Sequence, residues 1–313
     1  MLALMAAFWG VAGPVEGIGL EGHMVVVEMA TQDIDKTSYP DLVNILRDYL
    51  SERDSGSLLP DWAWVSPYQE YSVIAHSVEF HKAWADYVKL NFAPSFSLHE
   101  KREVSFLLGL TAHTYSDPPW HIYFLPEAKT QDNAGELLAE YGTDILANWE
   151  LGKWDDVMSG YCPAVTAVRV YATMGYPDVT EAMVVKGMLM LRAGYWLEKI
   201  MGYRVYLSLV KRIPWIDANY LSYVPGGLEY DAGVSAPEMV STWDYIQDRS
   251  VQLMPDNVPV FRENGTFLSL GQRLLESGSI RIPLTRTPEG EYFFGEPQTA
   301  NPDRLLEILK GLL

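Results

Sequence analysis

The stretch FLLGLTAHTYSDPPWH, Phe106 to His121, places His113, Asp117 and His121 at steps of four. Residues four apart on a helix are neighbours, with Cβ atoms about 5–6 Å apart. The turns before them are apolar (Val104, Phe106, Leu107, Leu108, Leu110), so these polar groups sit on an element that otherwise reads as core. A buried histidine or aspartate needs a partner. Two readings stand side by side. The groups satisfy one another and nearby backbone, or they form the edge of a divalent-metal site, for which imidazole and carboxylate are suitable ligands.

All six histidines lie between residues 23 and 121, which suggests a shared role in the first part of the chain. His99, beside Glu100 and Lys101, reads as an exposed residue at a helix start. His76 and His81 are about 140° apart round a straight helix and cannot both face one site, so one of them is expected to face solvent. Each further candidate has a plain alternative. Asp61 before Trp62 reads equally as a turn cap, His76 as a satisfied core histidine, and Asp132 with Glu136 as a solvated face near a helix start.

The elements that must position these groups read as mostly helical from about 20 to 212. Short periodic runs cover His23 to Ala30 and Pro40 to Tyr49, and Tyr68 to Leu90 repeats apolar residues at helical spacing. Ser97 three before Glu100 is a capping-box signature for the helix that carries the quoted stretch, and Pro118 and Pro119 are expected to end or kink it. Further helices are expected over Gly135 to Trp149 and Thr180 to about Arg212, stopping at Pro214. Beyond Pro214, VPGGLEYDAGVSAPEM reads as turn-rich. VPVF, SIRIPL and EYFF read as short strands, and Asp303 to Leu313 as a final helix. The expected fold is mainly α: a multi-helix bundle over residues 18–212, with a smaller mixed α/β region over 213–313 and a soft boundary near 213–240.

A chain of 313 residues with 48% hydrophobic and 20% charged content has room for one large domain or two modest ones. The net charge of -18 argues against charge-driven binding to nucleic acid, although it leaves a small phosphate ester at a cation-loaded pocket open. Cys162 is the sole cysteine, so no internal disulfide is possible. Residues 1–17, MLALMAAFWGVAGPVEG, have the apolar run of a signal peptide without a basic start, the alternative being a buried first helix. A secreted or extracytoplasmic location is therefore expected. Thr180 to Val210 carries Lys186, Arg192, Glu198, Lys199 and Arg204, too many charges for a membrane span. The NGT at 264–266 is a glycosylation sequon.

Four blocks in order carry a resemblance. FLLGLTAHTYSDPPWH resembles the histidine- and aspartate-rich block of zinc-dependent phospholipases C and of the N-terminal catalytic domain of glycosylphosphatidylinositol-specific phospholipase D. IGLEGH at 18–23, LLPDWAW at 58–64 and HSVEFHKAWADYV at 76–88 look like three further blocks of that family. The likeness covers roughly residues 18 to 150, and more loosely the helices to about 212. It implies an all-helical bundle of phospholipase C or single-strand nuclease type that holds two to three Zn2+ ions. The implied ligands are the amine and carbonyl of Ile18, then His23, Asp61, His76 rather than His81, His113, Asp117 and His121. Asp117 would bridge two metals, and Asp61 would both ligate and take the proton from the attacking water. The family closes its third position with His-x-x-x-Glu or His-x-x-x-Asp. Here DNAGE supplies Asp132 and Glu136, an oxygen-rich set less suited to zinc.

Clustered divalent ions suit phosphodiester hydrolysis because they acidify water and stabilise charge on the phosphoryl oxygens. The function implied is a secreted zinc phosphodiesterase acting on a phospholipid or related phosphodiester, with peripheral membrane contact and no protein partner. The alternatives are a single-strand nuclease-like enzyme and a metal-stabilised binding module without catalysis. Trp62, Trp64, Tyr68 and Trp120 would line a substrate groove or pack a rigid core. Met183, Met188, Met190 and Met201 would face lipid or fill the core, the latter preferred.

Overall fold

The computed structural model describes residues 19–64, 68–93, 95–152, 160–247, 253 and 266–312. The expected signal peptide, Ile18, VPVF and all of the sequon but Thr266 lie outside them. The chain is mainly helical, as the periodicity predicts. Helices α1 (Leu20–Asp33), α2 (Pro40–Asp48) and α3 (Leu50–Gly56) lead into a 3-10 turn, Leu59–Ala63. Two helices, α4 (Gln69–Ala75) and α5 (Val78–Asn91), take the place of one continuous repeat. The break falls at His76 and Ser77, where Ser77 caps α5 by accepting from the Phe80 N–H at 3.2 Å.

Helix α6 (Leu98–Pro119) opens with the expected capping box. Ser97 Oγ accepts from the Glu100 N–H, and Glu100 Oε2 accepts from the Ser97 N–H at 2.6 Å. Val104 to Ala112 are buried all round, the pattern of a central helix. Pro118 and Pro119 do not break it. The helix runs through them and widens into a π turn, Trp120–Phe124, closed from the Leu125 N–H to the Trp120 carbonyl, before α7 (Leu125–Gln131). A proline removes the N–H that would bond four residues back. The wider turn takes up that mismatch without a sharp bend.

Next come α8 (Glu136–Glu150), β1 (Tyr161–Cys162), α9 (Ala164–Thr173) and α10 (Glu181–Leu209), which tightens to a 3-10 turn ending at Arg212. After α11 (Pro214–Asn219), the segment expected to be turn-rich is mostly helix, α12 (Leu228–Ile246). Leu228, Ala232, Ala236, Met239 and Trp243 recur at helical spacing and are buried. The helix packs against α1 and α6. That burial outweighs the poor propensity of Gly233 and Pro237. The chain closes with α13 (Thr266–Glu276), β2 (Ile280–Arg281), β3 (Leu284–Arg286), β4 (Tyr292–Phe294), β5 (Gln298–Thr299) and α14 (Pro302–Leu312). Both sheets are antiparallel, ordered β1-β4-β3 and β2-β5, with Tyr161 opposite Phe293 and Thr285 opposite Phe293 on the other side.

Among the described residues, the apolar side chains form two cores. The larger unites Phe80, Trp84, Phe106, Leu110, Met239 and Trp243. The smaller gathers Trp120, Phe124, Leu125, Ala128, Leu146 and Ile216. Helix α1 lies between them, with Met24 and Val27 in the first and Val25 and Val26 in the second. Trp62, Trp64 and Trp120 are buried, as are Met188 and Met190, so these side chains belong to the packed interior. The Met201 side chain lies outside the described residues. No described helix is long and apolar enough to cross a membrane.

His99 is not a free surface residue. Its Nδ1 lies 2.8 Å from Glu291 and its Nε2 lies 3.5 Å from Glu103, which also accepts from Thr166 Oγ1. Burial pushes the Glu103 carboxyl up from 4.5 to about 7, against the pull of Thr166 and His99. A raised carboxyl favours folding below its unfolded value and loses that contribution as pH rises through its folded value. Glu103→Gln is therefore expected to gain stability relative to the wild type between pH 4.5 and 8, by on the order of 3 kcal/mol. Urea unfolding midpoints of both proteins across that range check it; a difference independent of pH would refute the assignment.

Candidate metal centre

Four elements converge on one buried cluster. His23 comes from α1, Asp61 from the 3-10 turn, His76 from the end of α4, and His113 and Asp117 from α6. The 3-10 turn is held on both sides: Trp62 Nε1 donates to Tyr171 Oη at 2.8 Å, and the Ala63 N–H donates to Ser72 Oγ at 3.0 Å. A Cβ at Gly187 would sit 2.1 Å from the Trp62 carbonyl, so α10 meets the turn through bare backbone. Helix α1 is capped from a distance, because Asp144 Oδ1 on α8 accepts from the Gly22 N–H at 2.9 Å. His23 follows directly on that capped turn.

Ligand atoms fall into two groups that share His113: His23, His113 and Asp117, and Asp61, His76 and His113, each within 4.8 Å. The histidine orientations suit ligation. His113 Nδ1–H donates to the Ser57 carbonyl at 2.7 Å and His76 Nδ1–H to the Ser72 carbonyl at 2.8 Å. Both rings therefore turn a lone pair on Nε2 into the cluster, the arrangement that outer hydrogen bonds impose on metal-binding histidines. His23 Nε2 and His113 Nε2 are buried and meet no hydrogen-bond partner in the described structure. His76 Nε2 faces Asp61 Oδ1 at 3.2 Å, so two acceptors confront each other unless a proton or cation stands between them.

The electrostatics agree. The His23 and His113 rings stack with centroids 3.9 Å apart. Burial lowers His113 to about 3 and His23 to about 4, so both are neutral near pH 7. Burial alone would raise the Asp117 carboxyl, but His121, with Nε2 at 3.2 Å, holds it well below the usual carboxylate range. A buried set of imidazole and carboxylate side chains fits a divalent ion such as zinc.

His23, Asp61, His76, His113 and Asp117 thus meet, and His121 joins through Asp117. Asp132 has other work: its two oxygens accept from the Trp215 and Ile216 N–H groups at 2.9 and 2.8 Å and cap α11. Glu136 opens α8, and its side chain, like Ile18, lies outside the described residues. His81 does not face solvent. The break at His76 puts it on a separate helix, where its Nε2 meets Thr111 Oγ1 at 2.9 Å and Thr242 Oγ1 at 3.1 Å. Sequence reasoning passed over three buried polar residues nearby: Asp144 and Asn148, four apart on α8, and Asp231 on α12. Their positions on the apolar side of helical repeats were the available signal.

No protein-family model matches the chain, and no solved structure matches it. Curated relatives are found. The phosphatidylinositol-glycan-specific phospholipase D of Dictyostelium discoideum is 25% identical over 236 residues, which cover 69% of this chain and 24% of that protein. The proteins of that name from Rattus norvegicus and Homo sapiens are 22% and 21% identical over 228 and 231 residues. These matches cover 66% and 67% of this chain and 26% and 27% of the relatives. The chain spans about a quarter of the length of the curated relatives it matches.

Proposed function

We propose that this chain is a zinc-dependent phosphodiesterase of the phospholipase C type, secreted, that hydrolyses a phospholipid or related phosphodiester. The carrying observation is the pair of His/Asp groups sharing His113, with imidazole lone pairs turned inward in a buried pocket. The names of the distant relatives support a phospholipid substrate, with a glycan-linked phosphatidylinositol as the class they point to. Zinc ions bound there would acidify water and neutralise charge on the phosphoryl oxygens. His23, His76 and His113 would supply nitrogen ligands. Asp117 serves both the first group and His121, which suits it to bridge. Asp61 would accept a proton, and Trp64 Nε1, donating to its Oδ1 at 3.2 Å, fixes its orientation. Ile18 is kept as a proposed ligand, and His121 and Glu136 as proposed ligands of a third position, whereas Asp132 would have to give up its cap on α11 to join them.

The lipid reading draws support from the surface beside His121. Ile122 and Tyr123, on the π turn, are 43% and 52% exposed, a placement suited to peripheral contact with a membrane. The net charge of -18 weighs against a nucleic-acid substrate.

The test measures metal content and turnover together. Two or more zinc per chain, with hydrolysis of phospholipid vesicles well above that of single-stranded DNA, is the expected result. A preference for DNA would favour the nuclease-like alternative, and full loading without turnover a non-catalytic module. A chain that takes up no zinc would overturn the proposal.

A further inference from the structure

Asp231 is fully buried, and neither carboxylate oxygen meets a hydrogen-bond partner of ordinary geometry in the described structure. A buried carboxyl with no donor in good geometry is a costly feature for a fold. Its place is fixed by contacts on both sides. One turn later, Ser235 Oγ donates to the Ala112 carbonyl at 3.2 Å, next to His113. Five residues earlier, Gly226, with φ of +86°, lies so close that a Cβ would come 2.8 Å from the Pro119 carbonyl and 3.0 Å from Trp120 Cα. Helices α12 and α6 therefore run antiparallel here, and Asp231 falls opposite the stretch between those contacts, which contains Asp117.

Its electrostatic surroundings say the same. Burial pushes the Asp231 carboxyl well above the usual range, the Asp117 charge adds to this, and the Gly226 backbone offsets part of it. Two carboxylates that raise each other's cost in a dry interior are stabilised together by a positive charge between or beside them. The described structure offers no cationic side chain in that role at Asp231.

We propose that Asp231 is a further anionic anchor of the metal centre, its charge completed by a divalent cation of the zinc type. This rests on the metal reading above. It adds a negative charge from α12 to a set otherwise built from the first half of the chain, so cation loading also clamps α12 onto α6.

The experiment compares wild type, Asp231→Asn and Asp231→Ser, each stripped of metal and then titrated with zinc. Competition with a chromogenic chelator gives the affinity, and thermal unfolding gives the midpoint with and without zinc. Both variants are expected to bind zinc about 10–100-fold more weakly, the range for outer partners of metal ligands. Metal-free, they should melt at or above the wild type, because an unpartnered buried carboxylate has gone, and zinc should raise their midpoints less. Ser235→Ala, which loosens α12 without touching the charge, should lower both midpoints equally. Unchanged zinc affinity in the Asp231 variants, or a lower metal-free midpoint with the full zinc-induced rise, would overturn the inference while leaving the metal reading intact. A wild type that binds no zinc would overturn both.

Discussion

Asp117→Asn is expected to strip the protein of tightly held zinc and reduce phosphodiester hydrolysis to background. Asp117 is the carboxylate of the His23–His113 group and also faces His121 Nε2 at 3.2 Å, so one residue serves both sides of the cluster. Asparagine keeps the shape but removes the charge and one acceptor oxygen. The affinity loss should exceed the roughly 10–100-fold that follows loss of an outer partner of a metal ligand. His81→Gln is the control: His81 is equally buried but engaged with Thr111 and Thr242, so zinc stoichiometry should be kept. Elemental analysis of dialysed protein and a chromogenic phosphodiester assay give the two readouts. Wild-type zinc content and turnover in Asp117→Asn would remove this residue from the centre.

The second large effect is on folding. Gly109→Ala should cost more than about 4 kcal/mol, in the range that marks a specific steric fault. A Cβ at Gly109 would stand 1.9 Å from the Arg53 carbonyl and 2.9 Å from Ser57 N. A Cβ at Gly56 would stand 1.9 Å from the Phe106 carbonyl, so α3 and α6 touch backbone to backbone through reciprocal glycines. Alanine's better helix propensity, about 1 kcal/mol, does not offset such contacts. The damage extends to the metal centre, because the Ser57 carbonyl orients His113 at 2.7 Å. A fall in thermal midpoint of roughly 8 °C or more is expected. A midpoint within two or three degrees of the wild type would show that the helices separate at little cost.

Much of this was legible in the chain. The capping box at Ser97, the apolar run of α6 and the steps of four from His113 are local signals, and local signals survive folding. The mainly helical fold followed from them. What failed to show is tertiary. Asp132 resembles a ligand by spacing, yet it caps a helix that begins more than eighty residues later, and no local pattern announces a cap delivered from so far. Helix α12 was masked by Gly233 and Pro237, whose breaking tendency is overcome by burial against α1 and α6. His81 looked like the outward partner of His76 only while the two were assumed to share one straight helix; Ser77 ends that assumption.

The π turn at Trp120–Phe124 has a consequence for how insertions and deletions are tolerated. A helical rod advances about 100° per residue. The widened turn adds one residue of phase and lets a single rod hand over from the larger core, served by Leu107 to Ala112, to the smaller one, served by Phe124, Leu125 and Ala128. Removing one residue there would restore regular winding and rotate everything downstream by about a quarter turn. Leu125 and Ala128 would swing away from their neighbours while His113 and Asp117 stayed in phase. Length, more than side-chain identity, is what this junction holds constant.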